Sequence, residues 1–137
     1  MKKKGKIFIK DAIELPTLLA ITPQEQERGL MHKKWPPPIM SFVYKLPSIN
    51  KFWMHNTPSP LDIVFCHNNI IVNICKGEPY STALIGDDSF SDLVVEFPHG
   101  TCKDKNIKIG DSIILKYEDE DESESGHKEN PYAIFIK

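Results

Sequence analysis

The residues best suited to chemistry in this chain lie between positions 52 and 62: Phe52-Trp53-Met54-His55-Asn56-Thr57, then Pro58-Ser59-Pro60, then Leu61-Asp62-Ile63. An extended segment alternates its side chains, which places Trp53, His55 and Thr57 on one face and Phe52, Met54 and Asn56 on the other. Asn56 and Thr57 can brace the proline turn through side-chain to backbone hydrogen bonds. Asp62 stands inside an apolar run, where a carboxylate must face water, accept hydrogen bonds or pair with a cation. Two roles are open to it. The favoured one is a structural carboxylate that binds the backbone of a turn or a helix end; the other is a ligand or catalytic group in a pocket beside His55. Met31, Met40 and Met54 could line an apolar pocket with Trp53, although such residues more often build core.

Other chemistries find less support. His32, His55, His67 and His99 show no HxH or HxxxH spacing, so no metal is expected. The sequence holds no GxSxG element, phosphate-binding glycine loop or dinucleotide fingerprint, and no cofactor is expected. Cys66 and His67 are adjacent, which on a strand turns them to opposite faces and makes a poor nucleophile–base pair. With Cys75 and Cys102 the cysteines number three and lack CxxC spacing, which suits small hydrophobes better than a disulfide or zinc framework.

The elements that must hold these residues are mostly strands. Short apolar runs rich in β-branched and aromatic residues occur at 6–10, 16–21, 39–45, 61–66, 70–75, 93–97, 112–117 and 132–136. His67-Asn68-Asn69 reads as a hairpin turn, Lys76-Gly77-Glu78-Pro79 as a strand end, and Gly110-Asp111 as a further turn. One helix is visible. Thr22 is its N-cap, Pro23 lies in its first turn, Glu25 reaches back as a capping box, and Gly29 stops it after Arg28. So short a helix needs Leu30 and Met31 to anchor it to a core built elsewhere. Glu25 and Arg28 would share a face as a surface ion pair. Trp35-Pro36-Pro37-Pro38 reads as a stiff extended connector, and Asp87-Asp88-Ser89 as an exposed loop. No second amphipathic helix is seen, so the expected fold is mainly β (α+β), a small curved-sheet or barrel-like domain with one short capped helix.

With 137 residues the chain fits one domain. Residues 1–117 are expected to form it, 118–131 an acidic mobile segment, and 132–137 a C-terminal strand or appendage. A net charge of −2 gives no global case for nucleic acid. Lys2, Lys3, Lys4 and Lys6 form a local basic cluster that reads as a solubilising or frayed terminus. No apolar run approaches the roughly 20 residues of a membrane span. The basic start lacks the apolar stretch of a signal sequence, which places the chain as given in the cytosol unless a leader has been removed.

Three segments in order carry a family resemblance: 22–31 (TPQEQERGLM), 52–57 (FWMHNT) and 60–65 (PLDIVF), with 94–101 (VVEFPHGT) and 107–111 (IKIGD) closing it. From Pro16 to Leu115 the chain resembles the widespread, uncharacterised prokaryotic family with an FWMxNT…PLD signature, domain of unknown function 192. The resemblance implies a small, mainly β, barrel-like domain with one short helix, and it brings no established activity. Many relatives look exported. Two positions depart from the family pattern: Ile39 stands where Gly is usual, and His55 where Lys is common, exchanging a fixed charge for a titratable one.

Three functional readings follow. The first is a non-enzymatic binding module for a small molecule or peptide, with Trp53, Met54 and Met31 as an apolar floor and His55, Asn56, Thr57, Asp62 and Arg28 as polar partners. The second is a small hydrolase-like enzyme using His55 and Asp62 as an acid–base pair. The third is a purely structural motif that welds the helix to the barrel.

Overall fold

The computed structural model describes residues 3–118 and the backbone of 135–136. A strand β1 (Lys4–Ile9) turns through Lys10 and Asp11, both at positive φ, into β2 (Ile13–Ala20). Lys4 and Lys6 of the lysine cluster thus lie within the sheet rather than in a frayed end. Helix α1 (Pro23–Arg28) follows, then the long strand β3 (Met40–Lys51), β4 (Leu61–His67), β5 (Ile70–Gly77) and β6 (Phe90–Pro98). A second helix, α2 (Thr101–Asp104), precedes β7 (Ile113–Tyr117), and β8 (Phe135–Ile136) adds to β3 in parallel at Asn50 and Lys51. The remainder of the expected 132–136 strand, and most of the acidic segment, lie outside the described residues.

Strand order is β5-β4-β6-β3-β2-β1-β7, antiparallel except for the β2–β3 pair. The sheet curls into a half-barrel until its two edges meet at one end. There Ile71 N–H donates to Asp111 O (2.9 Å), Gly110 N–H to Ile71 O (2.8 Å) and Ile113 N–H to Asn69 O (2.9 Å). Asn68 and Asn69, both at positive φ, make the β4–β5 turn as their residue type foretells.

Two apolar clusters use the two faces of the sheet. Inside the curl, Ile7, Ile9, Val64, Cys66, Ile71, Val95, Phe97 and Ile113 pack with Cys102 and Ile107 at the α2 end. On the outer face, Phe42, Leu61, Ile63, Phe65 and Val94 carry Leu30, Phe52 and Met54. Alternation along β4 explains the split: residues 61, 63 and 65 face out, and 64 and 66 face in.

The described residues depart from the sequence expectation in three places. They form two short helices, not one. Strand β2 begins before Pro16, which is tolerated because β3 pairs only with 18–20 and leaves the Pro16 edge open. Strand β3 runs on past Lys45 to Lys51, with a register shift between Val43 and Ser48 that absorbs Pro47.

Candidate functional site

Phe52 to Thr57 is a loop held from several sides rather than a strand. Phe52 exchanges backbone hydrogen bonds with Ile85 (2.9 and 2.7 Å), Met54 N–H donates to Ser81 O (2.8 Å), and Tyr80 N–H donates to Thr57 O (3.0 Å). His32 N–H reaches Asn56 O (2.8 Å), which fastens the turn after α1 to the same loop. The expected alternation holds from Phe52 to His55: Phe52 and Met54 are fully buried, while Trp53 and His55 point the other way. It fails at Asn56, whose φ of 53° turns the chain. Asn56 is therefore exposed, and Thr57 is buried with its hydroxyl on His55 O (3.0 Å).

The outward side chains form a small polar–aromatic surface. The Trp53 and His55 rings stack with centroids 5.0 Å apart and planes tilted by 34°. Asn56 Nδ2 lies 3.2 Å from His55 Nε2, within hydrogen-bond reach. Trp53 Nε1–H is buried and meets no acceptor among the described residues. Met31 is half-buried and precedes His32, whose backbone is tied to this loop. Met54 belongs to the core instead; Gly77 makes room for it, since a Cβ there would collide with the Met54 sulfur. Arg28 is exposed on the last turn of α1 and makes no side-chain hydrogen bond or ion pair among the described residues. The Glu25–Arg28 pair does not form, because Glu25 Oε1 takes Ile21 N–H (2.9 Å) and Thr22 N–H (3.0 Å).

Asp62 is elsewhere. It sits on the inner face of β4, with only 6% of its surface exposed. Its Oδ2 accepts Gly100 N–H (3.1 Å) and Cys102 N–H (3.0 Å), and its Oδ1 accepts His99 Nδ1–H (2.8 Å). The acid–base pairing of His55 with Asp62 is thereby overturned: Asp62's carboxylate faces α2 on the inner face, and His55 is engaged with Asn56 and Trp53 beyond the outer one. Asp62's histidine is His99, which the sequence offered as one of a scattered set and within the closing 94–101 segment, with no role.

Held by a carboxylate at Nδ1, the His99 ring keeps its Nε2 clear of that contact, and its side chain is 42% exposed. No cysteine nucleophile accompanies it. Burial, and then the charge of Asp62, push the Cys102 thiol up to about 12. Burial also pushes the Cys66 thiol far up. Thr101 Oγ1 donates to Pro98 O (2.7 Å). A further carboxyl, Glu96, is wholly buried on β6, in register with Met40 and Ile63, and so faces the outer cluster.

The family model of DUF192, described as an uncharacterized ACR, matches residues 7–115. The chain belongs to the DUF192 family. Among solved structures, this DUF192 chain is similar to a protein of unknown function from Novosphingobium aromaticivorans, at 28% identity over 80% of this chain and 83% of that one, with a TM-score of 0.73. It is also similar to a Sinorhizobium meliloti protein described as a "putative transcription regulator", at 27% identity over 84% and 94% of the two chains, with a TM-score of 0.73. The comparison with curated proteins gave no match. Among the described residues, no helix of this DUF192 protein is long and apolar enough to cross a membrane.

Proposed function

We propose that this DUF192 protein is a non-enzymatic binding module whose contact surface comprises Trp53, His55, Asn56 and Met31, with a small molecule or short peptide as its ligand. Met54 and Thr57 position that surface from beneath. Asp62 braces the opposite side of the sheet. The observation that carries the reading is the buried Trp53 indole N–H without a protein acceptor, set beside exposed imidazole and amide groups on a rigidly tied loop. A ligand carbonyl or carboxylate admitted to Nε1 by a shift of the overlying side chains would satisfy that donor, while the tied backbone would need little ordering on binding.

The two indole N–H resonances, from Trp35 and Trp53, provide the test. In ¹⁵N spectra a panel of amides, carboxylates and short peptides should contain members that move the Trp53 signal, assigned with Trp53→Phe. That variant keeps an aromatic ring, should fold, and should bind those members about tenfold more weakly, the loss of roughly 1.4 kcal/mol expected of one buried donor. If ligands bind Trp53→Phe as tightly as wild type, this surface is not the site.

A second reading, proton transfer to or from a substrate, is favoured by the His99–Asp62 contact of 2.8 Å. Water would then be the nucleophile. Hydrolysis of any ester or amide substrate should vanish in His99→Ala and persist in His55→Ala. The transcription-regulator description finds little support on this chain, with a net charge of −2 and, among the described residues, helices of six and four residues, too short to read a major groove.

A further inference from the structure

A groove of about 480 Å³ opens where β1, β2, the 37–39 connector, the end of β6 and α2 come together. Its volume is that of small-molecule sites. Pro16, Leu18, Pro37, Pro38, Ile39 and Pro98 make its walls apolar. The hydroxyls of Thr17 and Thr101, which also line it, are already engaged with Leu18 O, Ser41 and Pro98 O. Recognition of a polar group is left to two exposed lysines, Lys4 and Lys105.

The charge lining this groove is all of one sign. None of its lining residues is acidic, and neither Lys4 nor Lys105 has a carboxylate partner among the described residues. Lys6, Lys10, Lys51 and Lys76, by contrast, pair with Glu14, Asp111, Asp88 and Glu78. A second groove, of about 320 Å³, sets Asp11 and Glu14 against Lys116, whose ammonium lies over the Phe8 ring at 5.2 Å. An anion is repelled there and attracted at the first.

We propose that the Lys4–Lys105 groove binds a monomeric amphipathic carboxylate, its acyl chain on the proline, leucine and isoleucine walls and its head at the lysine rim. This site is separate from the Trp53 surface and does not rest on it. Calorimetric titration of the full chain with decanoate, below its micelle-forming concentration, tests it. Binding should be about one to one, weaken with salt, and fall about threefold in Lys4→Ala or Lys105→Ala and about tenfold in the double variant. Decanol should bind more weakly than decanoate, acetate should not bind, and Lys116→Ala should change nothing. The proposal fails if decanoate does not bind, if decanol matches it, if the folded double variant binds like wild type, or if only phosphatidylglycerol vesicles bind.

Discussion

One carboxylate, Asp62, takes the N–H groups of Gly100 and Cys102 and the imidazole of His99 from within the sheet. Hydrogen bonds to charged groups are worth about 1.5–3 kcal/mol each, and leaving buried N–H groups unpaired costs more than the bond itself returns. Asp62→Asn keeps one acceptor oxygen but turns an amide N–H toward the other donors. Urea unfolding should show a loss of about 2–3 kcal/mol, a large share of a domain's 5–15. His99→Ala removes the half-exposed partner and lets water take its place at Oδ1, so it should cost less, about 1 kcal/mol. Equal losses in the two variants would mean that the imidazole, not the helix end, is what Asp62 holds. The same corner gives a pH prediction. Cys102 has its thiol raised from an ordinary 9.0 to about 12 in the folded protein, so its contribution is intact below pH 9 and is lost as pH climbs toward 12. Cys102→Ala should flatten the fall in stability over that range. Asp62's structural role was legible in the sequence, because an acid in an apolar strand must be satisfied. His99 was not, since it lies 37 positions away in sequence and no local pattern joins the two.

The two helices show why one element could be read from sequence and the other could not. Every signal of α1 is local: Thr22 Oγ1 accepts Glu25 N–H at 3.1 Å, Glu25 returns to Thr22 N–H, and Gly29 N–H closes on Glu25 O. Burial pushes the Glu25 carboxyl up, but the N–H groups of Thr22 and Ile21 outweigh it and leave it below its ordinary 4.5. Its stabilisation is therefore present above pH 4.5 and lost on acidification. Thr22→Ala should cost about 1 kcal/mol, measured by thermal or urea unfolding, without altering the sheet. Helix α2 has four residues, an N-cap glycine and no local side-chain cap. Asp62 supplies that cap from another strand, so α2 exists through tertiary structure alone. The 52–57 loop falls between these cases. Strand alternation placed its first four side chains correctly, and positive φ at Asn56 reversed the last two, a turn propensity that Asn carries and that alternation outweighed in the reading.

At the scale of the whole molecule, the half-barrel depends on a seam that no single strand predicts. β5 and β7 are the sheet's two ends, and they touch through Ile70–Ser112 and the hydrogen bonds of 69–71 with 110–113. The inner cluster draws residues from both ends, Ile71 and Ile113 among them, so the seam and the core support one another. Central strands β4 and β6 are flanked on both sides, whereas the seam is a few bonds beside exposed turns, which makes it the part expected to open first. Gly110 sits in the seam with φ of 97°, and a Cβ there would meet nothing within 4 Å. Gly110→Ala thus introduces backbone strain without collision, about 1 kcal/mol. Amide hydrogen exchange should quicken several-fold at Ile71 and Ile113, the two described donors of the seam outside Gly110 itself, while Val64 and Val95 exchange as in wild type. Uniform acceleration at all four amides would show instead that closing the barrel and forming the central sheet are a single cooperative event.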